Sequence, residues 1–197
     1  MASSTYKGDY KKGEIEISQS NLIFENQYAK IYNDDVIFPS GYQGTYIRIC
    51  NPQPQSVAVL PITRDQKVLL IKTFRHGARG WGYEVPKGGV DRSEEMEKAA
   101  LRELWEETGY TAERLIDLGE YFDSPAVFGN PLKCYIAVNC YRLSEPSCEK
   151  TEAIEKTIAV EIEDYIKGQY RLDFNDALTE MLICRYAMMI GGKKDES

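Results

Sequence analysis

Three glutamates within one turn of a predicted helix are the residues best suited to chemistry in this chain. Glu103, Glu106 and Glu107 fall in a stretch whose apolar residues recur at helical spacing. Carboxylates this close together repel one another unless a cation lies between them. Hard cations such as Mg²⁺ and Mn²⁺ prefer such oxygen clusters, completed by water and substrate phosphate. The pattern therefore predicts either a solvated acidic helix face or a divalent-metal site that polarises a phosphoanhydride.

The helix that carries these acids is predicted over residues 93–108. Ser93 or Asp91 can cap its start, and Gly109 provides a stop at its end. The sequence GGVD just before the helix favours a tight turn, and the backbone carbonyls of that turn can face the carboxylates. The helix and the turn before it are therefore treated as one candidate site.

The apolar face of this helix is expected to dock on a sheet. At about 100° per residue, one side is shared by Leu101, Leu104, Trp105 and Thr108. The three glutamates fall on the opposite side, where Arg102 can reach Glu106 at the i+4 spacing. Because a single arginine cannot neutralise three acids, this side of the helix still favours a cation.

The flanking sequence predicts the strands that must position the helix. Two apolar runs joined by a short polar loop, SVAVLPI and KVLLIKTF, favour a central hairpin. Other runs of strand character are YEV, ERLIDLGEYFD, LKCYIAVNCYRL and TIAV, and a closing amphipathic helix is predicted from FNDALTEMLICRYAMMI. Because helices interrupt a chain rich in strands, we expect an α/β fold with a mixed sheet between helices.

Three regions are distinguished along the chain. Residues 1–20 are a polar tail, loose or ordered only against a partner; residues 21–55 carry strand patterns; residues 56–197 form the main domain. The first residues lack the apolar core of a signal peptide, and no apolar run approaches the ~20 residues of a membrane span. Five scattered cysteines without a CxxC pair fit reduced thiols. We therefore expect a cytoplasmic protein that does not contact a membrane.

The formal net charge of −7 restricts the class of partner. A nucleic-acid polymer requires a basic stripe that displaces counterions, which an acidic chain does not favour. A small anionic substrate is compatible, because bound divalent ions reverse the local sign of the charge. A single histidine and the lack of a CxxC pair argue against a zinc site of the Cys/His type. The expected partner is therefore a small molecule.

The helix and the turn before it resemble the Nudix box. That signature reads Gly, five residues, Glu, seven residues, Arg-Glu, an aliphatic, any residue, Glu-Glu, any residue, Gly and an aliphatic. The chain matches it at Gly88, Glu94, Arg102, Glu103, Leu104, Glu106, Glu107 and Gly109. Tyr110 departs from it, at a position where the family usually has Ile, Leu or Val. The resemblance implies a Nudix α/β/α sandwich with a central mixed sheet and an added N-terminal antiparallel strand segment.

The resemblance also implies roles for the residues of the box. The expected ligands of Mg²⁺ or Mn²⁺ are Glu103, Glu107, Glu106 (directly or through water) and a backbone carbonyl of Lys87 or Gly88. The residues expected to shape the box are Gly88, Glu94 and Gly109. Arg102 is expected to orient the glutamates by salt bridges and is counted with Glu106 among the catalytic residues.

Residues outside the box resemble the branch of ADP-ribose pyrophosphatases and nucleotide-sugar hydrolases. The stretch KTFRHGARGWGYEVPKGG has the aromatic-Arg pair, the loop and the Glu-x-Pro-x-Gly sequence of that branch. By this resemblance Arg75 contacts the substrate phosphates or a partner subunit, and Glu84 lines the site. Pro125 stands sixteen positions after Gly109, where the branch carries a proline, although Ala126 replaces the glycine that often follows.

Three aromatic residues are further candidates for substrate binding. Trp81, Tyr83 and Phe128 could each stack on a nucleobase, since aromatic faces suit any base. The alternative for each is ordinary packing within the protein. Plain alternatives also exist for Arg75, as a surface cation, and for Pro125, as a loop proline.

The catalytic base is expected on a late loop, where this family often places it. The segment EPSCEKTEAIEK offers Glu149, Glu152 and Glu155. Glu152 is favoured, because the acidic stretch before TIAV resembles the segment that precedes the last strand in the branch. The alternative is a solvated charged loop.

The expected function is metal-dependent hydrolysis of the pyrophosphate bond of a nucleoside diphosphate linked to a sugar, with ADP-ribose giving AMP and ribose 5-phosphate. One alternative is a GDP-mannose or other nucleotide-sugar pyrophosphatase. Another is a catalytically silent, nucleotide-sensing Nudix module. The resemblance further implies a homodimer formed through residues 21–55.

Overall fold

The computed structural model describes residues 13–51 and 55–191, which fall into two compact units. The first unit takes the described residues up to Gln55 together with Phe122–Pro131, and the second takes Ser56–Tyr121 and the described residues from Leu132 onward. Residues 1–12 of the expected polar tail lie outside the described residues. The assignment of residues 21–55 to dimer formation and of residues 56–197 to hydrolysis stays a prediction.

The first unit contains an antiparallel sheet built around one long strand. Its strands are β1 (Glu16–Gln19), β2 (Leu22–Glu25), β3 (Lys30–Ile37) and β4 (Gln43–Cys50), and β3 pairs with each of the other three. β1 lies in the stretch expected to be loose or ordered only against a partner, and it pairs within the chain instead. Ser18 of β1 donates to the Asp35 carbonyl of β3 at 3.0 Å, and Ser20, which follows β1, donates to the buried carboxylate of Asp34 at 2.7 Å. The predicted N-terminal antiparallel segment is confirmed.

The second unit contains a mixed sheet and three helices. Its strands are β5 (Ser56–Thr63), β6 (Val68–Arg75), β7 (Gly80–Glu84), β8 (Lys87–Gly89), β9 (Tyr110–Thr111), β10 (Arg114–Tyr121), β11 (Leu132–Arg142) and β12 (Ile154–Val160). Its helices are α1 (Met96–Thr108), α2 (Ile162–Ile166) and α3 (Ala177–Gly191). The main strand order is β10-β11-β5-β6-β12, in which β11 and β5 are parallel and the other neighbours antiparallel.

Strand β5 is buried on both faces and divides the core of this unit in two. Leu60 packs in the cluster that contains Leu182 of α3, and Val59 packs in the cluster that contains Leu104 of α1. Because neighbouring residues of a strand point to opposite faces, α1 and α3 cover opposite faces of the sheet. The predicted hairpin and the predicted mixed sheet between helices are confirmed.

Helix α1 begins three residues later than the sequence predicted. Ser93, one of the two expected caps, has a left-handed backbone with φ of 69° and cannot begin a helix. The cap is Glu95, whose backbone is extended at φ −76° and ψ 141°. The predicted stop at Gly109 is confirmed, since φ there is 78° and its N–H donates to the Trp105 carbonyl at 2.7 Å.

The predicted faces of α1 are partly wrong. Trp105 was expected on the sheet but is 37% exposed, whereas Glu103 and Glu107 were expected away from the sheet but are 6% and 3% exposed. The buried side is widened by the small residues Ala99 and Ala100, both fully buried. The helix contacts β8 and β12 as well as β5, so the side that carries Glu103 and Glu107 is covered by protein.

Helix α3 closes the second unit. Just before its first residue, the Asp176 carboxylate accepts hydrogen bonds from the backbone N–H and the hydroxyl of Thr179, at 3.0 and 2.6 Å. The Thr179 hydroxyl also accepts the N–H of Val85 at 3.0 Å, which ties the start of α3 to the end of β7. Within residues 13–51 and 55–191, no helix combines the length and the apolar character that a membrane crossing requires.

Candidate metal and substrate site

Three carboxylates converge between α1 and the turn before β12. Glu103, Glu107 and Glu152 each offer an oxygen atom, and these atoms all lie within 4.8 Å of one another. Glu103 and Glu107 share one side of α1 at the i+4 spacing, and Glu152 comes from the late segment that the sequence singled out. Glu106 does not take part in this trio; its carboxylate accepts a hydrogen bond from Arg102 at 2.9 Å.

The electrostatics of the trio fit a divalent cation. Burial raises the pKa of Glu107 to about 9, and the neighbouring charges of Glu152 and Glu103 act in the same direction. Burial likewise raises the pKa of Glu103 to about 7, although hydrogen bonding and attraction from Arg102 oppose the shift. A bound cation would remove both obstacles to ionisation, and an all-oxygen donor set is the kind that Mg²⁺ and Mn²⁺ prefer. The residues present therefore fit such an ion.

Strand β8 approaches the acids closely through its backbone. The Lys87 N–H donates to a carboxylate oxygen of Glu107 at 3.1 Å. A β-carbon added at Gly88 would collide with the carboxylate of Glu103, so glycine is needed there for space. The contact that the structure gives to Lys87 is this N–H, and the role of its carbonyl, or that of Gly88, as a metal ligand stays a prediction.

Arg102 ties the acids to the turn that precedes α1. Its guanidinium donates to Glu94 at 3.0 Å, to Glu103 at 2.8 Å, to Glu106 at 2.9 Å and to the Gly89 carbonyl at 2.8 Å. Hydrogen bonding to Glu94 is the main reason why the pKa of Arg102 is raised. Glu94 also accepts the N–H of Asp91, at 3.1 Å. The expected orienting contacts of Arg102 and the expected position of Glu94 near the helix start are thus present.

A second group of charges lies beside the trio. The Glu84 side chain, 1% exposed, accepts hydrogen bonds from Arg75 at 2.6–3.1 Å and pairs with the Lys87 ammonium at 2.9 Å. The Lys87 ammonium also reaches Asp176 at 3.3 Å. Although burial lowers it, the pKa of Lys87 is raised by the charges of Glu84 and Asp176. Glu84 therefore acts through Arg75 and Lys87.

A cavity of about 340 Å³ opens beside these two groups. Its lining consists of Thr73, Phe74, Arg75, His76, Lys87, Glu107, Thr151, Glu152, Ala153 and Ile154. Carboxylates, two cations, an aromatic ring and hydroxyls therefore face one space. This size and this mixture suit a small, polar, anionic molecule.

The other predicted binding residues are not among those that line this cavity. Trp81, on β7, meets the Phe74 ring edge-on with centroids 5.5 Å apart, and Lys72 lies 4.9 Å from its centroid. Glu84 is buried beneath the lining residues Arg75 and Lys87. Pro125 and Phe128 belong to the first unit, where Phe128 forms a bridge with Ile49 of β4.

Sequence reasoning missed Phe74 and the Lys87 side chain as lining residues. Phe74 had a signal, since it is the aromatic of the aromatic-Arg pair that drew attention to Arg75. The Lys87 side chain had no such signal, because the resemblance to the Nudix box implied a role only for the backbone carbonyl at this position. Thr151 and Ile154 stand close to Glu152 in the sequence. They line the cavity because the turn that brings Glu152 there brings them as well.

Comparisons with known proteins identify the family of the chain. The NUDIX domain model matches residues 52–178. An ADP-ribose pyrophosphatase of Bacillus subtilis (strain 168) is 31% identical over 161 residues, which cover 82% of this chain and 86% of that protein. The methanol dehydrogenase activator of Bacillus methanolicus is 33% identical over 63% of this chain and 66% of its own length. A crystal structure of an ADP compounds hydrolase superposes with a TM-score of 0.74 at 23% identity, covering 91% of this chain and 96% of that one.

Proposed function

The chain belongs to the Nudix hydrolase family as a pyrophosphohydrolase, and on that premise we propose that it hydrolyses ADP-ribose to AMP and ribose 5-phosphate with Mg²⁺ or Mn²⁺. The similarity to the Bacillus subtilis ADP-ribose pyrophosphatase extends over most of both chains and supports this choice of substrate. Two further relatives have names that concern ADP-linked substrates in general: an ADP compounds hydrolase of Escherichia coli (strain K12), 29% identical over 57% of its length, and a mouse ADP-sugar pyrophosphatase, 31% identical over 50% of its length. Family membership favours an enzyme over a module that only senses nucleotides.

The observation that carries the proposal is the position of the acidic trio on the cavity. Glu107 and Glu152 line the cavity. A carboxylate oxygen of Glu103 lies within 4.8 Å of a carboxylate oxygen of each of them. Glu103 and Glu107 would hold the ion, with Glu106 in contact through water, and Glu152 would lie beside them as the base. When bound, the ion supplies a Lewis acid for the phosphoanhydride oxygens and an acidified water for attack on phosphorus.

The remaining residues orient the acids and the substrate. Arg102 holds Glu103 and Glu106 in fixed directions, and the Lys87 N–H does the same for Glu107. Glu152, which reaches the cavity from a separate segment, is proposed to accept the proton released by the attacking water. The oxygen of that water would bond to one phosphorus of the diphosphate while the P–O bond of the anhydride breaks, so that AMP and ribose 5-phosphate leave as the two products.

Positive charge on the cavity wall is proposed to bind the diphosphate. Arg75 and Lys87 both face the space and are both paired with the buried Glu84. Their side chains are held in place before the substrate arrives, which lowers the entropic cost of binding it. Phe74 offers an apolar surface to the sugar or the base. Roles for Trp81, Pro125 and Phe128 in recognising the nucleotide remain part of the proposal.

The test is a product assay with Mg²⁺ on ADP-ribose, GDP-mannose, UDP-glucose, NADH and diadenosine polyphosphates. AMP and ribose 5-phosphate formed fastest from ADP-ribose, and lost in Glu107→Gln, would support the proposal. Faster turnover of GDP-mannose would move the specificity to the alternative nucleotide-sugar reaction. Turnover that persists with excess chelator would contradict the metal-dependent mechanism.

We also propose that the protein is a cytoplasmic homodimer paired through its N-terminal segment. Large apolar side chains of the first unit are exposed, among them Ile23 at 60%, Tyr28 at 59% and Tyr42 at 70%. Free thiols at Cys50, Cys140, Cys148 and Cys184 suit a reducing compartment. A molecular mass near twice 22.5 kDa by light scattering is expected, and a monomeric mass that persists at high concentration would refute the dimer.

A further inference from the structure

We propose that Trp105 is a positioning residue, which holds the loop of residues 143–152, and with it Glu152, against the last turn of α1. The inference rests on the proposed function, in which Glu152 accepts a proton from water. Trp105 occupies the any-residue position between Leu104 and Glu106 of the Nudix box, so the box assigns it no role. Its indole N–H donates to the Ser144 hydroxyl at 2.9 Å.

The exposure of Trp105 argues against a role in packing alone. At 37% exposure it lies on the outer side of α1, whereas the apolar contacts of the helix with the sheet are made by Ala99, Ala100 and Leu104. An indole at such a position offers a fixed donor on a rigid ring, which loses little entropy when it forms a hydrogen bond. Here the indole N–H of Trp105 is hydrogen-bonded to Ser144 of the loop.

The end of α1 provides further attachment points for the same loop. The backbone N–H groups of Leu143 and Ser144 donate to the Gly109 carbonyl at 2.9 and 3.2 Å, and the N–H of Ser147 donates to the Glu106 carbonyl at 2.8 Å. Carbonyls at the end of a helix lack partners within the helix, so the loop satisfies groups that would otherwise need water. A β-carbon at Gly109 would collide with the Ser144 carbonyl, which shows how closely the two segments approach.

A short turn connects the attached residues 143–147 to Glu152. The Glu149 N–H donates to the Glu152 carboxylate at 2.8 Å, and the Glu152 N–H donates to the Glu149 carbonyl at 3.1 Å. Only one residue separates Glu149 from Ser147, which is bound to α1. The position of Glu152 beside Glu103 and Glu107 therefore depends on how firmly residues 143–147 are held.

The test is a kinetic double-mutant cycle between Trp105→Phe and Glu152→Gln, measured with the best substrate of the product assay at saturating Mg²⁺. Phenylalanine keeps an aromatic ring on the helix surface but removes the N–H donor together with the five-membered part of the indole, so the loss of the hydrogen bond alone is measured with Ser144→Ala. We expect kcat to fall about 3- to 10-fold with KM changed by less than about twofold, the size expected for one hydrogen bond. In the Glu152→Gln background, Trp105→Phe should change kcat no further, because the residue it positions no longer acts.

Ser144→Ala removes the acceptor of the same hydrogen bond and serves as a second, independent variant. It should lower kcat by a similar factor, and the double variant Ser144→Ala/Trp105→Phe should have the same kcat as Trp105→Phe alone. The matched control is Tyr141→Phe, which removes a hydroxyl from an exposed aromatic of β11 close to the start of the loop and should leave kcat and the melting temperature unchanged.

The outcomes separate the two proposals. If Glu152→Gln hydrolyses at the full rate, the assignment of Glu152 fails and the role of Trp105 falls with it. If Glu152→Gln is slow but Trp105→Phe lowers kcat by the same factor in both backgrounds, only the positioning role is overturned. A lower melting temperature with unchanged kcat in Trp105→Phe and Ser144→Ala would also overturn it, because a packing contact alone predicts that result.

Discussion

The carboxylate of Glu103 occupies the space that a β-carbon on Gly88 would need. This steric relationship joins the first fixed residue of the Nudix box to the first of its helical acids. The glycine is required by the close approach of β8 to α1. Any side chain at position 88 must displace either the strand or the acid.

Gly88→Ala is therefore expected to weaken Mg²⁺ activation by about 10- to 100-fold, the range typical when a group that orients a ligand is disturbed. The measurement is kcat as a function of Mg²⁺ concentration. Gly77→Ala is the matched control, since a β-carbon at Gly77 meets no atom within 4 Å. If Gly88→Ala reaches half of its maximal kcat at the same Mg²⁺ concentration as the wild type, the expected link between this contact and the metal site is contradicted.

Replacing Glu107 by Gln is expected to abolish turnover and to stabilise the metal-free protein. Turnover should fall on the order of 10²- to 10⁴-fold, since a charged ligand is lost. The melting temperature in chelator should rise by about 2–8 °C, because a carboxylate that is costly to bury is removed. Glu97→Gln, on the exposed side of the same helix, should change neither quantity. A melting temperature lowered by the substitution would show that the carboxylate stabilises the fold even without a metal.

The stability of the metal-free protein is expected to fall as the pH rises. The pKa of Glu107 is about 9 in the folded chain against an ordinary 4.5, so the folded chain binds more protons than the unfolded chain between these values. The contribution of Glu107 to the free energy of unfolding is fully present below about pH 4.5 and is lost as the pH rises through about 9. Because a metal binds the ionised carboxylate, Mg²⁺ should raise the melting temperature most at high pH.

The measurement is the melting temperature at pH 5, 7 and 9, with chelator and with Mg²⁺. Glu107→Gln serves as the comparison, and its melting temperature in chelator should depend less on pH. An equal stabilisation by Mg²⁺ at pH 5 and pH 9 would mean that the ion binds elsewhere.

Arg102→Lys is expected to lower kcat by about 10- to 100-fold while the protein stays folded. Lysine keeps the charge but cannot donate at once to Glu94, Glu103, Glu106 and the Gly89 carbonyl. The measurement is kcat with circular dichroism on the same samples. Lys98→Arg, at an exposed position of α1, is the control and should have wild-type activity. Wild-type kcat in Arg102→Lys would mean that charge alone is sufficient at this position.

The strands of the second unit could largely be predicted because their apolar runs are long and are bounded by turn residues. The β5–β6 hairpin, the late strands and the helix stop at Gly109 follow directly from such local signals. The start of α1 could not be placed in the same way. Asp91 and Ser93 both suit a cap by residue type, and only the backbone conformation shows that Ser93 is left-handed.

The site was predictable as a set of residues but not as an arrangement. Helical periodicity placed the three glutamates on one side of α1, yet it could not distinguish a solvated side from one covered by a distant segment. Glu152 covers part of that side, and its approach depends on a loop conformation that no local pattern specifies. The same helical spacing put Trp105 on the side expected to face the sheet, although it lies on the outer side of α1 and donates to Ser144.

The acidic trio joins residues made at very different times during synthesis. Glu103 and Glu107 leave the ribosome 45 or more residues before Glu152, and β11, with which β5 pairs in parallel, lies between them in the chain. A nascent chain that ends before Glu152 has two of the three acids and no complete site. The complete site therefore forms only after Glu152 has been made and has reached the two acids of α1, and a bound ion stabilises the chains in which this has happened.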